Sequence, residues 1–203
     1  MTRPGRRPVR PSADRARRAA VIGIGNEFRR DDAVGWAAVG LLRERNQRRA
    51  LPPDTVLAQC DGDPGRLLEL WQDTGLVVVV DACTRPSPRP GRTHRWYGGP
   101  GAALGPSGPG RHSTHGLGLS EALRLGAALD RGPGRLVVYG VEGADHSWGL
   151  GMTPAVAAAL PRLVRRIEAD LVGYRTAAAR ARPVTVRPAA TRRAAFGAPG
   201  ARA

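Results

Sequence analysis

Lysine is absent from these 203 residues, and all 32 basic side chains are arginine. Cysteine is nearly absent too. Cys60 and Cys83 form neither a Cys-x-x-Cys pair nor a disulfide framework, which removes dithiol redox chemistry and a disulfide-stapled scaffold. No apolar run approaches the roughly 18 residues that a membrane span requires. The Arg-rich start is not followed by the apolar stretch of a secretory signal. No membrane association and a cytoplasmic location are therefore expected. There is no Gly-x-Ser-x-Gly elbow and no His-Glu-x-x-His helix, so the chain lacks the signatures of ordinary serine and zinc-helix peptidases.

What is abundant is positive charge, with a formal net value of +15. Its distribution argues against a nucleic-acid-binding domain. Residues 1–18 hold seven Arg and one acid, and residues 173–203 hold seven Arg and no acid. The middle, 19–172, holds eighteen Arg against sixteen acids and is nearly neutral. Both ends are rich in Arg, Pro, Ala and Gly with little to bury, so they read as disordered tails flanking one domain at 19–172. An all-arginine cation set fits a GC-rich coding bias as well as phosphate contacts, and no specific nucleic-acid partner is expected.

The most informative stretch is Val21-Ile22-Gly23-Ile24-Gly25-Asn26-Glu27-Phe28-Arg29-Arg30-Asp31-Asp32-Ala33-Val34-Gly35. A short apolar run leads through Gly-x-Gly-Asn into two adjacent aspartates and then a helix. Val34, Ala37, Ala38, Leu41 and Leu42 mark one face of that helix, over about 33–46. Asp31 and Asp32 fall at or beside its first turn, where a carboxylate can cap free N–H groups. A dinucleotide site is disfavoured: Phe28 stands where the fingerprint needs glycine, and Glu27, Asp31 and Asp32 would repel a pyrophosphate. Acids at this position suit a cation instead.

Strands are expected at 20–24, 55–60 and 76–80, the last an unbroken β-branched run typical of a strand buried on both faces. A more polar edge strand is expected at 93–97 and a final one at 136–141. Helices are expected over 65–72, after Gly116 with Leu117, Leu119, Leu123, Leu125 and Leu129, and over about 154–172. Alternating strands and helices predict a three-layer α/β/α domain around a mostly parallel sheet. Binding crevices in such sheets lie beyond the carboxyl ends of the strands. Asp31/Asp32, Asp61, Asp81 and Glu142 all fall at or just after such an end, and His115 enters before a helix. Carboxylates with one imidazole suit a divalent metal or general acid–base work. Of the other histidines, His94 and His112 read as structural or solvated, and His146 as a second-tier candidate to line the rim. Cys83, two residues from Asp81, reads as a buried thiol rather than a nucleophile.

Three blocks together resemble the hydrogenase maturation endopeptidases. They are Gly23-Ile24-Gly25-Asn26 with Arg30-Asp31-Asp32-Ala33-Val34-Gly35; Val79-Val80-Asp81-Ala82; and Ser113-Thr114-His115-Gly116-Leu117-Gly118-Leu119, followed later by Tyr139-Gly140-Val141-Glu142-Gly143. The resemblance spans about 20–172. It implies a five-stranded mixed sheet with residues 93–97 antiparallel. It implies an endopeptidase that removes the C-terminal extension of a nickel–iron hydrogenase large-subunit precursor once nickel is in place. The nickel is carried by the substrate, with zinc or cadmium able to stand in. By position the family's metal-recognition residues match Asp32, Asp81 and His115, with Asp31 the alternative within the first pair. Asp61 matches a further functional aspartate. Ala33 replaces a common glycine, and Gly62-Asp63 replaces a Gly-Thr pattern. Three other readings stand beside this one: a metal-dependent peptidase or amidase with its own metal, a nickel-dependent maturation chaperone that does not cut, and nucleic-acid binding through the arginine tails.

Overall fold

A computed structural model describes residues 15–99 and 116–180. The β-branched run sits at the centre of the fold. Strand β3 (Leu76–Cys83) is buried at every position and pairs in parallel with β1 (Ala19–Ile24) on one side and β5 (Arg135–Glu142) on the other. Strand β2 (Thr55–Cys60) extends the sheet beyond β1, and β4 (Thr93–Gly98) closes the opposite edge antiparallel to β5. The order β2-β1-β3-β5-β4 is the mixed, mostly parallel five-stranded sheet that the resemblance implied.

Alternation along the strands divides the core into two layers, because successive side chains point to opposite faces. Val21, Val78, Val80 and Val141 face helices α1 (Val34–Arg48) and α4 (Pro154–Arg180), meeting Val39, Leu42, Leu163 and Ile167. Ile22, Ile24, Val77, Val79 and Val138 face α2 (Pro64–Trp71) and α3 (Gly116–Ala128), meeting Leu67, Trp71 and Leu119. The three-layer architecture follows directly. Asp63 caps α2, its carboxylate accepting from the Arg66 amide at 2.6 Å, with Pro64 in the first turn.

Two boundaries move by more than two residues. Helix α4 does not stop at 172 but continues to Arg180. The reason is Tyr174, three residues beyond buried Leu171, which packs against the core and lies under the Arg135 guanidinium. The run of alanines that follows has the highest helix propensity of any residue. Strand β3 likewise runs past Asp81 to Cys83, so Asp81 lies inside the strand rather than beyond it. Residues 1–14 and 181–203, which make up most of the two expected tails, lie outside the described residues, as do His112 and His115.

Candidate active site

Helix α1 reaches the sheet by an unusually close approach. Gly35 in its first turn is buried, and a Cβ there would stand 2.2 Å from the Ile24 carbonyl oxygen and 2.6 Å from that of Val80. Only glycine lets the helix start against the carboxyl ends of β1 and β3 at once. A 3₁₀ turn, Arg30–Ala33, precedes the helix and carries both aspartates, which are fully buried. The Asp32 main chain lies against Gly25 at the end of β1. Asp81 is also buried, one residue beyond the Val80 carbonyl that Gly35 abuts. The fold therefore brings Asp32 and Asp81 to the same carboxyl-end rim, and both are held in regular backbone.

Asp31 has a different duty from the helix cap expected of it. Neither the 3₁₀ turn nor α1 has a side-chain cap. Instead the Asp31 carboxylate turns toward the loop after β5 and accepts from the amides of Ala144 (2.8 Å), Asp145 (3.0 Å) and Thr153 (2.7 Å) and from the Thr153 hydroxyl (3.0 Å). The intervening 3₁₀ turn is the physical reason, since it directs this side chain away from the first amides of α1. Burial pushes the Asp31 carboxyl up, but the donors from Ala144, Thr153 and Asp145 outweigh it and leave the pKa below the ordinary value. Four charge-assisted bonds leave this carboxylate little capacity to take up a ligand.

Glu142, at the end of β5, is also committed. Its carboxylate is buried and accepts from the Arg89 amide at 2.5 Å, with His94 Nε2 at 2.5 Å from the other oxygen. Burial raises its pKa, yet the bonds from Arg89 and His94 bring it below the ordinary glutamate value. Glu142 thus latches the connection before β4 to the sheet instead of lining an open rim. His94, expected to be structural or solvated, is structural through this contact with Glu142. It is in register with Gly140, which is itself in register with Asp81, so the three share one face of the sheet. The alternation of the edge strand, with Trp96 stacked on His94, is the signal that could have placed it inward.

Cys83 is buried one register step beyond Asp81 on the same face. Burial, with the Glu142 and Asp81 carboxylates adding to it, pushes its thiol up to about 12. A thiol at that value is protonated at neutral pH and is not a nucleophile. His146 packs against Gly143 beside Asp31, with both ring nitrogens buried and no hydrogen-bond partner for them among the described residues.

Asp61 follows β2 and is exposed, its carboxylate accepting from the Asp63 amide at 3.1 Å. The turn it begins supports α3: a Cβ on Gly118, in the first turn of that helix, would lie 2.0 Å from the Gly62 carbonyl oxygen. The third proposed ligand, His115, immediately precedes α3 and lies outside the described residues. Among the described residues no three His, Cys, Asp or Glu side chains gather into a metal-binding group. Two of the three expected ligands, Asp32 and Asp81, thus lie at one rim, with Asp61 exposed in the turn that supports the start of α3.

Neither a family model nor a curated protein sequence matches the chain. Solved structures do. The chain is similar to the hydrogenase maturating endopeptidase HybD from E. coli, with 25% identity and a TM-score of 0.62 over 77% of this chain and 93% of that one. It is also similar to the [NiFe] hydrogenase maturation protease HybD from Thermococcus kodakarensis, with 21% identity and a TM-score of 0.61 over 76% of this chain and 99% of that one. A third, the [NiFe] hydrogenase maturation protease HycI from the same organism, matches at 24% identity and a TM-score of 0.55 over 77% and 93% of the two chains. The last two likenesses concern the fold.

Proposed function

We infer that this chain, a hydrogenase maturation endopeptidase by fold and by its motif blocks, removes the C-terminal extension of a nickel–iron hydrogenase large-subunit precursor after nickel insertion. The observation that carries this reading is the meeting of two independent lines. A whole-domain likeness covers 93% of the E. coli endopeptidase, and the motif acids Asp32 and Asp81 stand buried at one strand-end rim. Asp32, Asp81 and His115 would then recognise the nickel borne by the substrate, since carboxylate oxygen and imidazole nitrogen are a donor set that suits it, with zinc or cadmium as substitutes. Asp61 would contribute from the exposed turn beside α3.

What this chain's residues supply is position. Asp81 is locked in the central strand, and Asp32 in a turn pinned against two strand ends, so neither needs ordering when substrate arrives. Seating the nickel on them orients the neighbouring peptide bond, and orientation of this kind accounts for a large share of many enzymatic rate enhancements.

The test is incubation of the protein with a precursor large subunit, read by intact mass. Loss of the C-terminal extension is expected with the wild type. Asp32→Ala and Asp81→Ala should each cut at least about 100-fold more slowly, the loss expected for a misplacement of about 1 Å. Normal cleavage by both variants would remove the rim as the site.

A further inference from the structure

Three large apolar side chains stand exposed beside the acidic rim: Phe28 (54%), Trp148 (76%) and Leu150 (67%). They lie on two loops that are tied together like paired strands. Arg29 and Gly149 form a parallel bridge, the Gly149 amide donates to the Phe28 carbonyl at 2.8 Å, and the Arg30 amide donates to that of Gly149 at 3.0 Å. The Asp31 carboxylate anchors the second loop at Ala144, Asp145 and Thr153. Arg30 adds side-chain contacts to Ser147 and Asp145, both at 3.2 Å. A buried aspartate and a braced backbone thus serve to display apolar groups that nothing in the described chain covers.

Scattered exposed apolar residues require no explanation, but a cluster beside a site marks a binding surface. We propose that Phe28, Trp148 and Leu150 form a platform that docks an apolar stretch of the polypeptide substrate next to its scissile bond. This rests on the function proposed above. The platform is continuous with the surface that reaction must cover, because Phe28 lies four residues before Asp32 in the same turn-and-loop segment. Its charge also selects the occupant. The Arg29 guanidinium donates to the His146 carbonyl and Arg30 pairs with Asp145, and the two arginines are matched in number by Asp145 and the exposed Glu27 beside Phe28, so the platform has no excess of positive charge. An acidic peptide or a nucleic acid would find little here, whereas an apolar peptide would cover three side chains that water now surrounds.

Phe28→Ser and Trp148→Ser test this in steady-state cleavage of the precursor, beside Leu129→Ser, which removes an apolar side chain 52% exposed in the turn after α3. Burying one such aromatic on binding corresponds to about tenfold or more in affinity. KM should therefore rise about tenfold in each platform variant, with kcat changed little and melting temperature unchanged, while Leu129→Ser keeps the wild-type KM. Unaltered KM in both platform variants, with a wild type that cuts, overturns the docking platform alone. A wild type that leaves the precursor intact overturns the proposed function and the platform with it. Sedimentation of the free protein supplies the remaining arm: a wild-type dimer that Trp148→Ser converts to monomer would assign the surface to a second copy and overturn the proposal.

Discussion

At the first acidic pair, four donors converge on the Asp31 carboxylate while the main chain of its neighbour Asp32 lies against Gly25 at the end of β1. Adjacent residues of identical chemistry thus divide into a brace and a candidate ligand. Hydrogen bonds to an ionised group are worth roughly 1.5–3 kcal/mol each and are not additive, so Asp31→Ala should cost about 3 kcal/mol or more, well above the roughly 1 kcal/mol of a lost helix cap. Thermal or urea unfolding measures this, and a cost near 1 kcal/mol would contradict the bracing role. The pH dependence has a definite sign. Asp31 and Glu142 both titrate below their ordinary values in the folded chain. Their contribution is complete above the ordinary carboxylate range and is lost as pH falls through it to the lower folded values. Asp31→Asn should weaken this acid limb of the stability profile. Nothing in the dipeptide Asp31-Asp32 announces the division, because the partners of Asp31 lie more than a hundred residues away in the loop after β5. The place of Asp81 in the fold was easier to read, since it directly follows the unbroken valine run that forms β3.

Among the elements, the junction of α1 with the sheet decides whether the rim exists. Gly35 is the contact point, and a methyl group there would meet two backbone carbonyls rather than yielding side chains. Overpacking of a core commonly costs 1–3 kcal/mol, and a rigid backbone obstacle places this case at or above the top of that range. Gly35→Ala should therefore lower stability by about 3 kcal/mol or more and, in whatever fraction folds, displace Asp32 and abolish cleavage. Circular dichroism melting beside the precursor assay checks both parts, and a variant with wild-type stability would refute the contact. The elements themselves were well marked in the sequence. β-Branched runs give the strands, and the spacing Val156, Leu163, Val164, Ile167, Leu171 gives α4. The end of α4 was not legible, because Tyr174 amid arginines and alanines resembles a tail until its packing against the core is seen. The edge strand did not announce which of its two expected roles His94 takes, since the partner Glu142 lies 48 residues on in the sequence.

For the whole molecule, the net charge of +15 misleads until it is located. Residues 19–172 hold eighteen Arg against sixteen acids, and most of the excess lies on either side of them. Trimming to residues 15–180, which keeps all of α4, should leave the melting temperature and precursor cleavage essentially unchanged, because the removed ends hold few large apolar groups to bury. A large drop in melting temperature would show that one end docks on the domain. A cut at 172 is a different experiment. It removes Tyr174 and the Arg175 guanidinium that binds the Arg17 carbonyl at 3.0 Å, and it should destabilise.

We propose that cleavage is licensed by nickel carried on the substrate and sensed at the Asp32–Asp81 rim. The most direct test compares nickel-loaded with nickel-free precursor under otherwise identical conditions, following the C-terminal mass with time. The extension is expected to be lost from the loaded precursor and retained on the nickel-free one. Equal cleavage of the two forms would contradict the proposal.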